Sequence, residues 1–319
     1  MQSVTVAAVQ ASPVFLDLEA TLDRACQLMA EVGVHGADLA VFPEGFVPGY
    51  PAWVWHVPAG QSAVLREAYA ELHANAISIP GPETARLCAA ARQAGTAVAI
   101  GVNERNTEGS GTTLYNTVVY IGADGTLLGR HRKLVPTSGE RLVWAFGDGS
   151  DLEVYDLPAG RMSGLICWEN YMPLARYALY AWGVQIWVAP TWDCGEPWLS
   201  SMRHIAKEGR CLVVGCGSPL RRVDVPDRLS FKASHLPDRE WINPGDSVIV
   251  HPDGKLLAGP AHETETILYA SIPAADLVGP RSQLDVAGHY ARPDLFELTV
   301  RRRPRPFLTV IEDDEPPTP

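Results

Sequence analysis

The chain has 319 residues, of which 46% are hydrophobic and 20% are charged, which is typical of a globular protein with a large core. No stretch approaches the run of about 18 apolar residues that a membrane-spanning helix needs, so a membrane protein is not expected. The net charge of -11 repels phosphate backbones, so nucleic-acid binding would need a local basic stripe.

The two ends of the chain carry few functional signals. The start, MQSVTVAAVQASPVF, has neither a basic segment nor a long apolar run, so we expect no signal peptide and a cytoplasmic protein. The basic stretch RRRPR at 301–305 lies beside the acidic stretch EDDEPP. It is best interpreted as part of a solvated terminal arm, and nucleic acid is not an expected partner.

Cysteine and histidine usage disfavours disulfides and metal sites. The six cysteines form no CxxC pair, which favours reduced thiols in a chain of this length. The nine histidines show no HxxxH or HExxH spacing, so no metal is expected.

Hydrophobic periodicity predicts an alternation of strands and helices along the first half of the chain. In chain order we predict a strand at 3–10, a helix at 16–36, a strand at 37–44, helices at 61–77 and 82–94, a strand at 96–102, and two strands within 114–133. Asp124 and Gly125 lie between those two strands, as in a hairpin turn.

The second half repeats the same order of elements. We predict strands at 152–157 and 161–166, a helix near 172–182, a strand at 184–190, a helix near 199–209, a strand at 211–217, a DG hairpin at 246–259 and a strand at 265–272. This order predicts an α/β fold with two sheets packed face to face and helices outside them.

We expect one domain over residues 1–280, because no linker separates the two halves. The remaining residues, 281–319, form a Pro- and Arg-rich extension with an acidic tip that is expected to be disordered. We predict that the extension is an oligomerisation arm, since an apolar and basic segment beyond the last core strand gains little by lying alone.

Three apolar runs end in groups that can do chemistry. VFPE ends in Glu44, LLGRHRK ends in Lys133 and GLIC ends in Cys167. Ligand sites of α/β sheets collect at the carboxyl ends of strands, and a carboxylate, an ammonium and a thiol suit covalent catalysis. Each residue taken singly has a structural alternative: a turn for Glu44, a solvated basic loop for Lys133 and a packing role for Cys167.

The loops after Glu44 and Lys133 are rich in Pro, Trp and Tyr, which a merely structural strand end does not require. The aromatic residues that could line an apolar pocket are Tyr50, Trp53, Trp55 and Trp192. Packing within the loops is an equally good interpretation of them.

Four motifs follow one another along the chain: VFPEGFVPGYP, HRKLVPTSGERLVW, CWENYMPLAR and PTWD. Together they closely resemble the nitrilase branch of the carbon-nitrogen hydrolase superfamily. The resemblance runs from about Val4 to the GHYARPDLF stretch near residue 296. One position departs from the pattern, because Ser163 stands where the family's cysteine signature usually has Gly.

The resemblance implies a four-layer αββα sandwich that forms a homodimer or a larger homo-oligomer, in some relatives a spiral. It also implies a catalytic triad without metal or cofactor: Cys167 as nucleophile, Glu44 as general base and acid, and Lys133 as the group that stabilises the anionic intermediate. Glu140 matches a second carboxylate that positions the lysine and the cysteine region.

The expected function is hydrolysis of an organic nitrile to a carboxylic acid and ammonia. Cys-Trp-Glu, with Trp168 after the nucleophile, resembles nitrilases and cyanide-degrading relatives, and His131 points the same way. Tyr50, Trp168 and Trp192 are the expected substrate-binding residues, although Trp168 could be a core aromatic residue, and Glu169 and Asn170 could cap the next helix. An amidase, a carbamoylase, a cyanide hydratase or dihydratase and a catalytically silent scaffold are the alternatives.

Two pKa shifts are expected at these residues. The nearby ammonium and the amino end of the predicted helix at 172–182 should lower the pKa of Cys167. The aromatic residues of 46–55 should raise the pKa of Glu44.

Overall fold

The computed structural model describes residues 3–304 and residue 308; most of the predicted acidic tip lies outside these residues. The helices are α1 Leu18–Val34, α2 Ser62–Ala74, α3 Pro82–Ala94, α4 Pro173–Ala181, α5 Glu196–Gly209 and α6 Ser230–Ser234. The strands are β1 Ser3–Gln10, β2 Leu39–Val41, β3 Ala97–Arg105, β4 Leu114–Ile121, β5 Leu127–Arg132, β6 Tyr155–Leu157, β7 Gly160–Gly164, β8 Ile186–Thr191, β9 Leu212–Gly217, β10 Leu220–Arg221, β11 Trp241–Asn243, β12 Gly245–Val250, β13 Leu256–His262 and β14 Thr266–Pro273.

Two six-stranded sheets form the centre of the molecule. The first has the order β14-β1-β2-β3-β4-β5 and the second has the order β13-β12-β9-β8-β7-β6. The last strand, β14, pairs antiparallel with β1, so the chain closes the first sheet after completing the second. The carboxyl ends of β2, β5 and β7 carry the three predicted catalytic side chains.

The two sheets pack face to face and each is covered by helices. In β1, Ala7 and Val9 face the core shared with α1 and α3, whereas Val6 and Ala8 face the core between the sheets. This alternation is the ordinary period of a strand, here apolar on both faces because both are buried. A further core lies between the second sheet and helices α4 and α5. The predicted four-layer αββα sandwich is therefore confirmed.

Some elements differ from the prediction. Helix α1 begins at Leu18 because the side chain of Asp17 accepts a hydrogen bond from the Ala20 amide and caps the helix. Strand β2 is only three residues long, since the chain turns off the sheet toward Glu44. Helix α6 and the two-stranded ribbon of β10 and β11 were not predicted.

The described part of the C-terminal extension packs on its own subunit. Val286, Ala287 and Val300 contact the core beneath α4 and α5, and Arg302 pairs with Glu153. Among the helices of the described residues, none is long and apolar enough to cross a membrane. Within the same residues, no group of three or more His, Cys, Asp or Glu side chains could hold a metal ion.

Candidate active site

The predicted site is built on a buried lysine. The Nζ atom of Lys133 donates hydrogen bonds to Glu44 Oε1 at 2.8 Å and to Glu140 Oε2 at 2.7 Å. Glu44, Lys133 and Glu140 are each 1% exposed, and Cys167 is 4% exposed. The structure thus brings one ammonium and two carboxylates together in the interior, and both Lys133 and Glu44 interact electrostatically with Cys167.

Both oxygens of Glu44 have fixed partners. Oε1 accepts from Asn116 Nδ2 at 2.6 Å as well as from Lys133, and Oε2 accepts from the backbone amide of Trp192 at 2.6 Å. These contacts hold the carboxylate in one orientation. Sequence reasoning missed Asn116. Its signal is a polar amide in the middle of the otherwise apolar strand LYNTVVYI.

The loop that carries Glu44 is held against β3 by one side chain. The amide nitrogen of Asn103 donates to the carbonyl oxygens of Gly45 at 3.4 Å, Val47 at 3.2 Å and Gly49 at 3.0 Å. Because a loop carries unpaired carbonyl groups, a buried amide that satisfies several of them fixes its path. This contact holds the backbone on which Glu44 stands.

Glu140 has further partners on both of its carboxylate oxygens. Its Oε1 atom accepts from the Tyr50 hydroxyl at 2.6 Å, and its Oε2 atom accepts from the Thr137 amide at 2.7 Å. The Tyr50 ring stacks on Trp192, with ring centroids 4.2 Å apart. Trp55, 39% exposed, donates its indole hydrogen to the Tyr50 oxygen at 3.0 Å. A chain of hydrogen bonds therefore runs from the surface to Lys133.

Cys167 begins a 3₁₀ turn that spans Cys167–Tyr171 and has a φ of 52°. Residues other than glycine rarely adopt this left-handed conformation, so the surrounding contacts must hold it. The side chain of Asn170 donates to the carbonyl oxygens of Leu165 and Cys167, each at 2.9 Å, and Glu169 accepts from the Ile166 amide at 2.8 Å. The idea that Glu169 and Asn170 cap the next helix is wrong, since the residue before α4 is Met172.

Burial dominates the electrostatics of the site. It raises the pKa of Glu44 to about 7, with Lys133 opposing the shift and Glu140 adding to it. Burial would lower the pKa of Lys133, but the negative charges of Glu44 and Glu140 raise it above its usual range. The lysine is therefore charged, and Glu44 can exchange a proton near neutral pH.

The expected lowering of the Cys167 pKa is wrong. Burial and the charge of Glu44 raise the pKa of Cys167 well above its usual value, and Lys133 offsets only part of this shift. The 3₁₀ turn Cys167–Tyr171, rather than α4, begins at the thiol, and α4 starts only at Pro173. The resting group is thus a thiol, whose proton must be taken by a nearby base.

The aromatic residues lie in different places. Trp168 is 52% exposed and donates its indole hydrogen to Asp193 at 2.9 Å, so its side chain lies at the surface. Trp53 is fully buried and packs edge-on against Phe15, as in the loop-packing interpretation. A cavity of about 10 Å³ beside Glu44 is lined by Phe46, Tyr50 and Trp192, among others. It has room for about one water molecule.

The comparison with known families decides the classification. The family model described as Carbon-nitrogen hydrolase matches residues 5–279. The chain belongs to the carbon-nitrogen hydrolase family. Among its relatives, an aliphatic nitrilase of Sinorhizobium fredii (strain HH103) is 44% identical over 96% of this chain and 98% of its own length. A bifunctional nitrilase/nitrile hydratase of Nicotiana tabacum is 43% identical over 94% of this chain and 86% of its own length.

The solved structures agree at the level of the fold. Saccharomyces cerevisiae Nit3, described as a member of branch 10 of the nitrilase superfamily, matches with a TM-score of 0.69 and 21% identity. The match covers 91% of this chain and 97% of that chain. The predicted resemblance to the nitrilase branch is confirmed by these findings together.

The one departure from the family pattern has a local explanation. Ser163 is 2% exposed, and its hydroxyl donates to the carbonyl oxygen of Glu153 at 2.5 Å. A buried hydroxyl with such a partner carries little penalty. The carbon-nitrogen hydrolase fold therefore accommodates this serine before Gly164.

Proposed function

We propose that the protein is a nitrilase that converts an organic nitrile and two water molecules into a carboxylic acid and ammonia. The observation that carries the proposal is the Lys133 ammonium held between the Glu44 and Glu140 carboxylates beside the Cys167 thiol. The nitrilases among the relatives, which match nearly the whole chain, support the same reaction.

The first step forms a thioimidate. Glu44 takes the proton of the Cys167 thiol, and the sulfur attacks the nitrile carbon and forms a C–S bond. The nitrogen becomes anionic as one C–N π bond breaks, and Glu44 returns the proton to it. A pKa of about 7 suits Glu44 to both transfers, because it can accept and release a proton at little cost.

The next steps release ammonia and the acid. Glu44 removes a proton from water, which adds to the thioimidate carbon, and the Lys133 charge and backbone amides near Trp168 stabilise the tetrahedral intermediate. Glu44 passes the water proton to the nitrogen and then transfers the proton of the new hydroxyl group to it as well; the C–N bond breaks, ammonia leaves and a thioester with its C=O bond remains. A second water cleaves the C–S bond, which gives the carboxylic acid and restores the thiol. Cleavage of the C–S bond one step earlier would give the amide, in keeping with the bifunctional relative.

The remaining residues act in binding and positioning. Glu140 orients Lys133, as its 2.7 Å contact suggests. Tyr50 and Trp192 present stacked rings next to Glu44 and would contact the apolar part of a nitrile. Trp168 would contribute at the entrance, since its side chain is half exposed. The reaction uses neither a metal nor an organic cofactor.

We also propose a cytoplasmic homo-oligomer, a homodimer or a larger assembly such as a spiral. All six cysteines are free thiols, which fits a reducing compartment. Exposed apolar side chains of α4 and of the C-terminal extension, such as Leu174 and Phe296, are suited to contact another copy.

Replacement of the nucleophile tests the reaction. We expect Cys167→Ala to abolish ammonia release from nitriles while far-UV circular dichroism stays unchanged. The matched control is Cys211→Ala, which removes the same sulfur from a fully buried position in the core beneath α5. Substantial ammonia release by Cys167→Ala would contradict the proposal.

The substrate panel separates the alternatives. Ammonia is measured with phenylacetonitrile, benzonitrile, an aliphatic dinitrile, cyanide and the matching amides. A nitrilase releases ammonia from at least one organic nitrile, whereas an amidase or carbamoylase releases it from amides alone. Cyanide as the sole substrate would indicate a cyanide-degrading enzyme, and no turnover of any compound would indicate a silent scaffold.

A further inference from the structure

A third buried acid, Glu169, lies two residues after Cys167 and takes no part in the proposed proton transfers. Glu169 is 1% exposed, and both of its carboxylate oxygens are occupied. Oε1 accepts from the backbone amide of Leu134 at 2.6 Å, and Oε2 accepts from the backbone amide of Ile166 at 2.8 Å. His131 Nε2 lies 3.2 Å from Oε1 and 3.0 Å from Oε2.

These partners come from two different sheets. His131 lies on β5 of the first sheet, and Leu134 follows that strand two residues after its end. Ile166 follows β7, which belongs to the second sheet. Leu134 is the residue after Lys133, and Ile166 is the residue before Cys167. One carboxylate therefore connects the backbone next to the amine with the backbone next to the thiol.

The connection matters because the Cys167 backbone is in an unfavourable conformation. A φ of 52° is held only if the neighbouring groups fix the turn on both sides. Asn170 fixes the turn to the second sheet, since its Oδ1 atom accepts from the indole of Trp187 on β8 at 2.8 Å. Glu169 supplies the bond from the turn to the first sheet.

His131 is the basic partner of Glu169. Burial lowers the pKa of His131, but the charge of Glu169 and their hydrogen bond outweigh this effect and raise it. Among the described residues, His131 Nδ1 has no hydrogen-bond partner, so Nε2 makes the polar contact of the ring. The Glu169 carboxylate accepts from two backbone amides, one on each of its oxygens.

We propose that Glu169 is a positioning residue that sets the distance between Lys133 and Cys167 by bonding to the backbone beside each of them. The proposal rests on the proposed function, because it assigns the two residues to one reaction. Glu169 does not touch the substrate. If Glu169 were purely structural, it would stabilise the fold and would have no specific effect on the rate of the chemical step.

Glu169→Gln separates these possibilities. Each oxygen of Glu169 accepts from one of the two backbone amides, and an amide side chain has only one oxygen. Whichever way the glutamine is oriented, its NH₂ group faces a backbone N–H and one connection is lost. We expect kcat for a nitrile to fall by about 100-fold, as for a misplacement of about 1 Å, while KM changes by less than about threefold.

Glu169→Asp is the conservative variant. It keeps the charge beside His131, but its shorter side chain reaches the two amides less well, so we expect a kcat about tenfold below that of the unchanged protein. If Glu169→Gln fails to fold, the test rests on Glu169→Asp alone. An unchanged kcat in Glu169→Asp would then overturn the proposal. If both variants fold, equal losses in the two would also overturn it.

The matched control is Glu104→Gln. Glu104 is also 1% exposed, and it accepts from Arg130 at 2.6 Å and from Thr117 at 2.7 Å. Its partners are side chains, so its loss should lower the melting temperature with less than about a threefold change in kcat. If kcat falls in both glutamine variants in proportion to the loss of stability, Glu169 is merely structural.

A readout without nitrile distinguishes this proposal from the proposed function. The rate of Cys167 alkylation by iodoacetamide is followed by mass spectrometry of the peptide that carries it. We expect Glu169→Gln to slow alkylation about tenfold, because the thiol is displaced from its base and from Lys133. Unchanged alkylation would overturn the positioning role. Slowed alkylation in a protein that hydrolyses no nitrile would overturn the proposed function alone.

Discussion

The Lys133 ammonium is surrounded by carboxylates rather than by water. Burial, together with the second acid Glu140, raises the pKa of Glu44 to about 7 although Lys133 opposes the shift. A buried charge without a partner is costly, so each member of this group depends on the others. The same arrangement keeps Cys167 protonated until a base accepts its proton.

The pH dependence of activity follows from Glu44. Below its pKa of about 7 the carboxyl is protonated and cannot accept the thiol proton, so kcat/KM for a nitrile should fall as the pH decreases from about 8 to about 5.5. The folded pKa lies above the value of 4.5 for an unperturbed Glu, so this group stabilises the fold less as the pH rises toward 7. Initial rates in a series of buffers measure the effect. A flat profile over this range would argue against Glu44 as the base.

At the scale of elements, the position of Cys167 depends on how closely β7 and β8 approach. A Cβ atom on Gly164 would lie 1.7 Å from the carbonyl oxygen of Val188, a backbone atom that cannot move aside cheaply. The strands are parallel neighbours, with Gly164 opposite Val188. Only glycine allows this separation, and Cys167 follows three residues later.

We therefore expect Gly164→Ala to lower the free energy of unfolding by about 2 kcal/mol or more and to reduce nitrile turnover. The control is Gly60→Ala, because a Cβ atom there meets nothing within 4 Å. Urea unfolding and the ammonia assay provide the two measurements. Equal stability of the two variants would show that the strands can separate without cost.

At the scale of the whole molecule, the C-terminal extension and α4 form an apolar groove of about 580 Å³. Leu174, Tyr290, Leu295 and Phe296 line it and are more than 60% exposed. Exposed apolar residues clustered in this way are typical of a surface that binds another protein, and the homo-oligomer proposed above would bury this groove against a second copy of the chain.

A chain that ends after Tyr290 should remain folded, because the two sheets and their helices are complete by that residue. In size-exclusion chromatography it should elute as an assembly of fewer subunits. The control is a chain that ends after Pro304, which keeps the groove and lacks the acidic tip. An unchanged number of subunits in the shorter chain would contradict the role of the C-terminal extension in oligomerisation.

Much of the site was accessible from strand ends alone. Glu44, Lys133 and Cys167 each follow a predicted strand, and ligand sites of α/β folds collect at the carboxyl ends of strands. Asn116 was missed because nothing in a single strand tells which face its amide takes. The direction of the Cys167 pKa shift was predicted wrongly. The sequence indicates a nearby lysine, which lowers this pKa, but it does not show the burial that raises it more.

By itself the sequence determined the alternation of strands and helices, the two similar halves and the three reactive groups at strand ends, because these depend on periodicity and local chemistry. Only the tertiary structure decided that Lys133 lies between two carboxylates and that Glu169 connects the sheets. These contacts join residues from Glu44 to Glu169 across two sheets, and their geometry depends on how those sheets pack.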